Sequence, residues 1–349
     1  MTLNPASEIK SVAKKDISAF AEKQIASSAS GSVIPITLHR ALSYAHYPLA
    51  QDHDPVLFTA WDKDRLVGYA GLLPGILRAG EKKFGVRWIS AIHVLPEYKG
   101  TGSKLVRAII ETGHDLAAAG VSPSGQKCAL STGFYSAGSL EIARVELGRS
   151  LFWKWPFLRG FLVKKQGTGG KAREIESLDQ ELYAVQKKTP VFFERPPEVL
   201  NWMKQYPWVV ESREPSAPPA YYFSDTRLFH RIIFLELSSP QGRGWAVFLT
   251  SQPHGKARTL KILDYGLGEK LDSGMLLESA LSLAEKYKAG ILEFQKGLFP
   301  DFEAASFVKS ALSVFPRPYF YRPSGPQSPL ALYGRECAKA FQDGDNGLT

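Results

Sequence analysis

The stretch Trp88–Ile110, WISAIHVLPEYKGTGSKLVRAII, decides the fold of the first half of the chain. An apolar segment ends at Pro96, a loop with Gly100 and Gly102 follows, and apolar residues then recur at helical spacing from 103 to 117. This order predicts a strand, a glycine loop and a helix. Glycines let backbone N–H groups turn toward a ligand, and a helix N-terminus adds partial positive charge. The loop is therefore a candidate cradle for an anion such as a pyrophosphate.

The flanking residues predict a sheet around this stretch. Val56–Trp61, Leu66–Leu73 and Phe84–Val94 alternate with polar turns, which is typical of an antiparallel meander. After the helix we expect a short strand at Lys127–Ser131 and a second helix near Ser136–Leu147. Because a helix connects them, the strands at 84–94 and 127–131 are expected to be parallel neighbours.

The second half repeats this order of elements, which predicts two copies of one architecture. The glycine-rich Gln166–Lys171 separates them, so we place one domain at 1–165 and another at 172–349. Helices are predicted at Asp179–Lys187, Pro197–Tyr206 and Gly274–Tyr287. Strands are predicted at Arg173–Ser177, Ala220–Ser224, His230–Leu237, Trp245–Ser251, Thr259–Leu267, Gly290–Gln295, Pro318–Arg322 and Leu330–Tyr333.

Composition limits the classes of partner. The 349 residues carry a formal charge of +9, which suits an anionic ligand, but the basic residues are scattered and argue against nucleic acid. Cys128 and Cys337 are far apart, so no disulfide framework or zinc site is indicated. We expect no metal, no signal peptide and no transmembrane segment, and hence a cytoplasmic protein.

The strand, loop and helix resemble the cofactor motif of the GNAT acetyltransferase superfamily, R/Q-x-x-G-x-G/A. Gly100-Thr101-Gly102 matches the G-x-G, and Glu97 or Lys99 stands at the position of the arginine or glutamine. The resemblance implies an α/β (α+β) fold of two tandem GNAT-like domains, each a mixed, mostly antiparallel twisted sheet flanked by helices. Glu269 and Asp272 follow the corresponding strand of the second half, so that copy is expected to lack the cofactor loop.

The resemblance also implies acetyl-CoA, or another acyl-CoA, as the cofactor. Its pantetheine arm would lie along the fourth strand and its pyrophosphate in the glycine loop. The implied cofactor-binding residues are Ile92, His93, Val94, Lys99, Gly100, Thr101, Gly102, Ser103, Lys104 and Ser131.

Three residues are candidates for the proton transfers of amide formation. His93 is a candidate general base because imidazole titrates near neutral pH, although a packed strand histidine is the alternative. Glu97 is a second candidate base, with a solvated loop carboxylate as its alternative. The family's usual acid is a tyrosine on the helix after the fifth strand, where this chain has Ala143 or Arg144. Tyr135 is the candidate replacement.

The sequence therefore predicts an acyl-CoA-dependent N-acyltransferase acting on an amine of a small molecule, sugar or peptide. Two alternatives stay open. One is a Fem-like aminoacyl or peptidyl transferase that uses charged tRNA, since that family also has two tandem GNAT-like domains. The other is a non-catalytic binding protein with the same fold.

Overall fold

The computed structural model describes residues 7–27, 33–149, 170–185, 190–214, 220–223, 225–240, 242–269, 271 and 273–340. Most of the predicted linker Gln166–Lys171 lies outside these residues, and so does Asp272. The domain bounds 1–165 and 172–349 therefore stay a prediction.

The first half contains a meander followed by alternating helices and strands. Its strands are β1 (Glu8–Ala13), β2 (Val33–Ile34), β3 (Pro55–Asp62), β4 (Arg65–Ala79), β5 (Lys82–Val94), β6 (Leu116–Ala119) and β7 (Tyr135–Glu146). Its helices are α1 (Ile17–Ser27), α2 (Leu38–Ala45), α3 (Thr101–Ile110) and α4 (Pro123–Ser131), with 3-10 turns at Lys14–Asp16 and Leu147–Arg149.

The second half follows the same plan with more short elements. Its strands are β8 (Lys171–Ile175), β9 (Val191–Glu194), β10 (Val210–Glu211), β11 (Ala220–Tyr221), β12 (Thr226–Arg227), β13 (Phe229–Ser239), β14 (Gly242–Gln252), β15 (Thr259–Leu267), β16 (Ile291–Gln295) and β17 (Leu312–Arg322). Its helices are α5 (Gln180–Tyr183), α6 (Pro197–Gln205), α7 (Ser273–Lys286), α8 (Pro300–Ala304), α9 (Ser306–Lys309) and α10 (Pro329–Tyr333).

One mixed sheet joins the two halves. Its order is β1-β3-β4-β5-β6-β17-β7-β16-β15-β14-β13-β8, and β9 pairs with β4 away from this path. Counted inward from either edge of the sheet, the strands pair in the same pattern. The parallel pairs are β5–β6 in the first half and β15–β16 in the second, and the other neighbours on this path are antiparallel. The predicted fold class, two copies of a mixed and mostly antiparallel sheet flanked by helices, is confirmed.

The two halves exchange their last strands. β17 pairs with β6 of the first half, with Tyr319 opposite Ala119, whereas β7 pairs with β16 of the second half, with Glu146 opposite Ile291. β7 and β17 also pair with each other, so each half is completed by a strand of the other. This exchange leaves no free sheet edge at the junction.

Three local predictions are wrong. Lys127–Ser131 lies in helix α4, which begins where the Ser122 hydroxyl accepts from the Gly125 N–H at 3.2 Å. Ser136–Leu147 forms most of β7 and is not a helix, because this central strand buries residues on both faces and so lacks polar alternation. Leu330–Tyr333 is helical and belongs to α10, which begins at Pro329.

Residues 116 and 117 also leave the predicted helix, since Leu116 and Ala117 begin β6. The true fifth strand of the first half is therefore β6, and the helix that follows it is α4. The helices predicted at Pro197–Tyr206 and Gly274–Tyr287 and the strands predicted at His230–Leu237, Trp245–Ser251 and Thr259–Leu267 are confirmed within a few residues. Of Asp179–Lys187 only Gln180–Tyr183 is helical, and of Ala220–Ser224 only Ala220–Tyr221 is a strand, while residues 186, 187 and 224 lie outside the described residues.

Separate apolar cores cover the faces of the sheet. Helix α3 packs Leu105, Val106 and Ile109 onto the first half, and α7 packs on the second. A further core on the opposite face contains residues of α1, α2 and α6 and so belongs to both halves. None of the helices in the described part of the chain has the length and apolar character that a bilayer crossing requires.

Candidate functional site

A cleft opens where β5 and β6 separate. The two strands pair only at Arg87–Leu116 and Trp88–Ala117, and beyond these residues β5 and β6 no longer pair with each other. Backbone groups on the facing edges of the strands are then open to an added ligand, as at any unpaired strand edge. The cavity there measures about 200 Å³. Its lining residues are Ile89, Ser90, Ala91, Ile92, Val106, Ala118, Ala119, Gly120, Val121, Ser122, Gly125, Cys128, Ala129, Phe134 and Phe223.

A β-bulge distorts β5 beside this cleft. Tyr69 pairs with His93 and Gly71 with Ser90, so two residues of β5 face one residue of β4. Ala91, within the bulge, has a φ of +49°, in the left-handed region that costs a non-glycine residue about 1–2 kcal/mol. Bulges re-aim backbone and side-chain groups and are common beside active sites. The bulge therefore turns part of β5 away from regular pairing at the cleft wall.

The glycine loop lies at the N-terminus of α3. Gly100 precedes the helix with φ +88°, a left-handed conformation suited to glycine. The first N–H groups of a helix lack intrahelical acceptors and favour anions. Lys99 and Lys104 are exposed beside them, whereas Thr101 is buried with its hydroxyl 3.3 Å from that of Ser7. The predicted loop residues thus lie together at a helix end.

Helix α4 closes the cleft from the other side. The Cys128 sulfur lies 3.6 Å from the Ser103 hydroxyl. A methyl group built on Gly102 would lie 3.8 Å from the Val94 side chain and 3.9 Å from the Cys128 sulfur. The end of β5, the glycine loop and α4 therefore meet within van der Waals distance. Cys128 was missed from the sequence because its segment was interpreted as a strand.

His93 stands in an aromatic environment. Its ring stacks on Tyr222 with centroids 3.8 Å apart, and Tyr69 lies 5.6 Å away. Its Nε2 atom is buried and has no hydrogen-bond partner within the described ranges. Burial lowers the pKa of His93 below its usual 6.5. The imidazole is thus neutral near pH 7 and able to accept a proton.

The second half supplies part of this site. Strand β11 pairs in parallel with β2, which brings the segment that follows it over β5. Tyr222 is 63% exposed and covers His93, and Phe223 lines the cleft. Sequence reasoning could name these aromatic residues but could not place them, because their contacts depend on the packing of the two halves.

The structure does not bring the other predicted residues to the cleft. The Glu97 carboxylate forms an exposed salt bridge with Arg65 at 2.7 Å. Tyr135 donates its hydroxyl to the Leu330 carbonyl at 3.1 Å, and burial raises its pKa. The Ser131 hydroxyl donates to the Cys128 carbonyl at 2.9 Å and so ends helix α4.

The expected position of the tyrosine acid is also corrected. Ala143 and Arg144 lie in the middle of β7 and not on a helix. Helix α4, PSGQKCALS, is the one that follows the fifth strand, and it contains no tyrosine. The helix that follows the fifth strand therefore supplies no tyrosine acid.

The second half has a comparable separation of strands. β15 and β16 pair from Thr259 to Lys261 and then part, beside a cavity of about 840 Å³. Arg195 donates to the Asp264 carboxylate there at 2.8 Å, and Glu269 is exposed at the rim. These charges differ from those of the glycine loop in the first half.

Comparisons with known proteins agree with this geometry. Residues 27–126 match the model of the acetyltransferase (GNAT) family. The chain is similar in structure to a GCN5-related N-acetyltransferase from Anabaena variabilis, with 11% identity, a TM-score of 0.52, and coverage of 92% of this chain and 73% of that one. A probable N-acyltransferase from Enterococcus faecalis gives 11% identity, a TM-score of 0.51, and coverage of 90% and 71%.

A tandem GNAT protein from the clavulanic acid biosynthesis pathway gives 11% identity, a TM-score of 0.51, and coverage of 93% of this chain and 100% of that one. No curated protein matches the sequence. The first half thus carries a GNAT domain, and the chain as a whole has the tandem GNAT fold.

Proposed function

We propose that this protein is an acyl-CoA-dependent N-acyltransferase that uses acetyl-CoA and acts on an amine of a small molecule, sugar or peptide. One observation carries the proposal. The open edge of β5 and helix α4 line one cleft, the glycine loop contacts the end of β5 and α4, and β5 and the loop lie within residues that match the acetyltransferase (GNAT) family.

The residues at the cleft fit an acyl-CoA in their chemistry. Gly100, Gly102 and Ser103 offer backbone N–H groups, and the exposed Lys99 and Lys104 offer positive charge, for a pyrophosphate. The apolar lining beyond them suits a pantetheine arm, whose amides can bond to an unpaired strand edge. When bound, the cofactor supplies an activated thioester carbonyl.

The protein's own contribution is to position and deprotonate the amine. His93 lies on the strand that forms the cleft wall, and its lowered pKa keeps the ring neutral. Its Nε2 is buried without a hydrogen-bond partner among the described residues, and it would accept the proton of an ammonium group that reaches it directly or through water. Tyr222 lies over the ring and restricts the direction from which an acceptor reaches it. Holding two reactants in line then contributes much of the rate.

Substitution of Gly102 by leucine tests the cleft. A methyl group at Gly102 would already contact the Val94 side chain and the Cys128 sulfur, so the larger leucine would crowd the space between the glycine loop, β5 and α4. We expect the Kd for acetyl-CoA, measured by calorimetry, to rise at least about tenfold, which is about 1.4 kcal/mol. Gly85→Leu in strand β5 is the control, because nothing lies within 4 Å of a methyl group there.

An unchanged Kd in Gly102→Leu, or an equal loss of affinity in Gly85→Leu, would contradict this placement of the cofactor.

Titration with acetyl-CoA, in the presence of candidate acceptors, also distinguishes the proposed function from the two alternatives. Binding with transfer to an amine supports the proposal, whereas binding without transfer indicates a non-catalytic protein. Transfer that needs charged tRNA indicates an aminoacyl transferase.

Cys128 provides an independent probe of the cleft. It is partly exposed on the cleft wall, whereas Cys337 is 3% exposed, so Cys128 should react first with iodoacetamide. We expect saturating acetyl-CoA to slow alkylation of Cys128 by about tenfold or more, because the bound ligand would cover its sulfur. Mass spectrometry of the modified peptide measures the rate, and Cys128→Ser identifies the background. Equal rates with and without acetyl-CoA would place the ligand elsewhere.

A further inference from the structure

Charged residues lie side by side on three central strands of the sheet. On β15, Leu260 and Ile262 point into the core beneath α7, so Lys261 between them points to the opposite face. Lys261 pairs with Glu293 on β16, and Glu293 pairs with Arg144 on β7. Because β7 comes from the first half of the chain, both halves contribute to this face.

Three further residues belong to the same cluster. Arg317 on β17 is buried, Arg227 ends β12, and His230 lies near the start of β13. Burial lowers the pKa of Lys261, Glu293 raises it, and the arginine charges lower it further, so these groups act on one another. We name this set the basic row: Arg144, Arg227, His230, Lys261, Glu293 and Arg317.

Positive charge exceeds negative charge in the basic row. It holds three arginines and one lysine against the single carboxylate of Glu293, with Asp225 near Arg227 and Glu211 accepting from the His230 backbone N–H at 2.9 Å. Glu293 and Arg144 form a long contact, with 3.7 Å between oxygen and nitrogen. The surplus of cations in a half-buried position creates a field that attracts an anion.

One member of the row lacks the partners that buried polar groups normally have. Both ring nitrogens of His230 are buried without a hydrogen bond in the part of the chain that the structure describes. Burial and the neighbouring cations lower the pKa of His230 to about 4. Buried polar groups are nearly always hydrogen-bonded, so these atoms point to a ligand.

The row adjoins the acyl-CoA cleft. A methyl group built on Gly120, which lines the cleft, would lie 3.6 Å from the Arg317 Nε. Arg317 also lines a cavity of about 610 Å³ that shares Gly120 and Val121 with the cleft. On the other side, Phe223 of the cleft precedes Arg227 by only four residues. Arg317 of the row thus lies beside the cleft in which the acyl-CoA is proposed to bind.

We infer that the basic row binds an anionic group, a phosphate or a carboxylate, carried by the acceptor substrate. Lys261 and the arginines would neutralise its charge, and the His230 ring would form a hydrogen bond with it. The acceptor would then be an amine that also bears a negative charge, held by residues of both halves. The inference rests on the proposed function for the identity of the ligand as an acceptor, but not for the presence of the anion site.

Anion binding can be measured without knowing the acceptor. We would follow thermal unfolding of the full-length protein in inorganic phosphate, in acetate and in chloride at equal ionic strength. Stabilisation by phosphate or acetate beyond that in chloride is expected, and it identifies which anion fits. In Lys261→Met the apparent affinity for that anion should fall at least about tenfold, the effect of losing one charge-assisted contact.

A second variant distinguishes a loss of anion binding from a loss of protein stability. His230→Phe removes two unpartnered nitrogens, so without anions it should melt at the same temperature as wild type or higher. We expect it to lose most of the anion-dependent stabilisation. Lys309→Met, at an exposed lysine, is the matched control and should keep the wild-type response.

The outcomes separate this inference from the proposed function. No stabilisation of the wild type by either anion, or an undiminished response in Lys261→Met and His230→Phe, overturns the inference. Gly102→Leu tests acetyl-CoA binding and should leave the anion response at the basic row intact. Loss of acetyl-CoA binding with a retained anion response therefore affects only the cofactor site.

Discussion

Replacing His93 with glutamine is expected to lower kcat for acetyl transfer by about a hundredfold or more, with little change in the KM for acetyl-CoA. Glutamine keeps a polar side chain of similar length at the cleft wall but cannot take up a proton. The buried Nε2 and the lowered pKa make His93 the residue on β5 best suited to receive the proton of the amine. Steady-state kinetics with the identified acceptor measure the effect.

The pH profile gives a more specific test of the same role. A general base must be neutral, so kcat/KM should be full above the pKa of His93 and should fall as the pH drops through it. Because burial lowers this pKa, the fall is expected below pH 6.5. In His93→Gln this acid limb should disappear.

His114→Gln is the matched control for the profile. Burial, with the nearby Arg87, lowers the pKa of His114 as well, but this residue follows α3 and does not belong to β5. Its variant should keep both the rate and the acid limb. A His93→Gln enzyme within twofold of wild-type kcat, or one that retains the limb, would assign His93 to packing against Tyr222.

Replacing Trp208 with alanine is expected to lower the free energy of unfolding by about 3–5 kcal/mol. Trp208 is 1% exposed, and its indole N–H donates to the Ser43 hydroxyl at 3.0 Å. The guanidinium carbon of Arg40 lies 3.5 Å from the ring centroid, and Arg40 is itself buried. Truncation would leave a large cavity beside a buried cation that has lost its aromatic partner.

Urea unfolding followed by circular dichroism measures this loss. Trp61→Ala is the control, because Trp61 is only partly buried at the end of β3 and should cost less than about 2 kcal/mol. A loss below about 1 kcal/mol in Trp208→Ala would show that the contact between α2 and the second half contributes little. The same contact also supports the cleft wall, because α2 is bonded to β5. The hydroxyl oxygens of Tyr44 in α2 and Ser90 in β5 lie 3.1 Å apart.

The errors in the sequence prediction have a common cause. The sequence of β7 predicts a helix because Leu140 and Ile142 face one core while Ala143 and Val145 face another, which removes the alternation that marks a half-buried strand. A helix at β7 in turn requires the fifth strand to lie where the structure has α4. The sequence therefore points to Ala143 or Arg144 for the tyrosine acid and does not place Cys128 at the cleft.

The sequence by itself determined the strand, glycine loop and helix of residues 88–110, and with them the predicted cofactor positions from Ile92 to Lys104. Those features follow from local signals, namely apolar periodicity, Pro96 and the backbone freedom of Gly100. Only the tertiary structure decided the exchange of β7 and β17, the placement of Tyr222 over His93, and the alignment of Lys261 with Arg144. Strand pairing and domain packing join residues far apart in the chain, and their free energy depends on partners that no local pattern specifies.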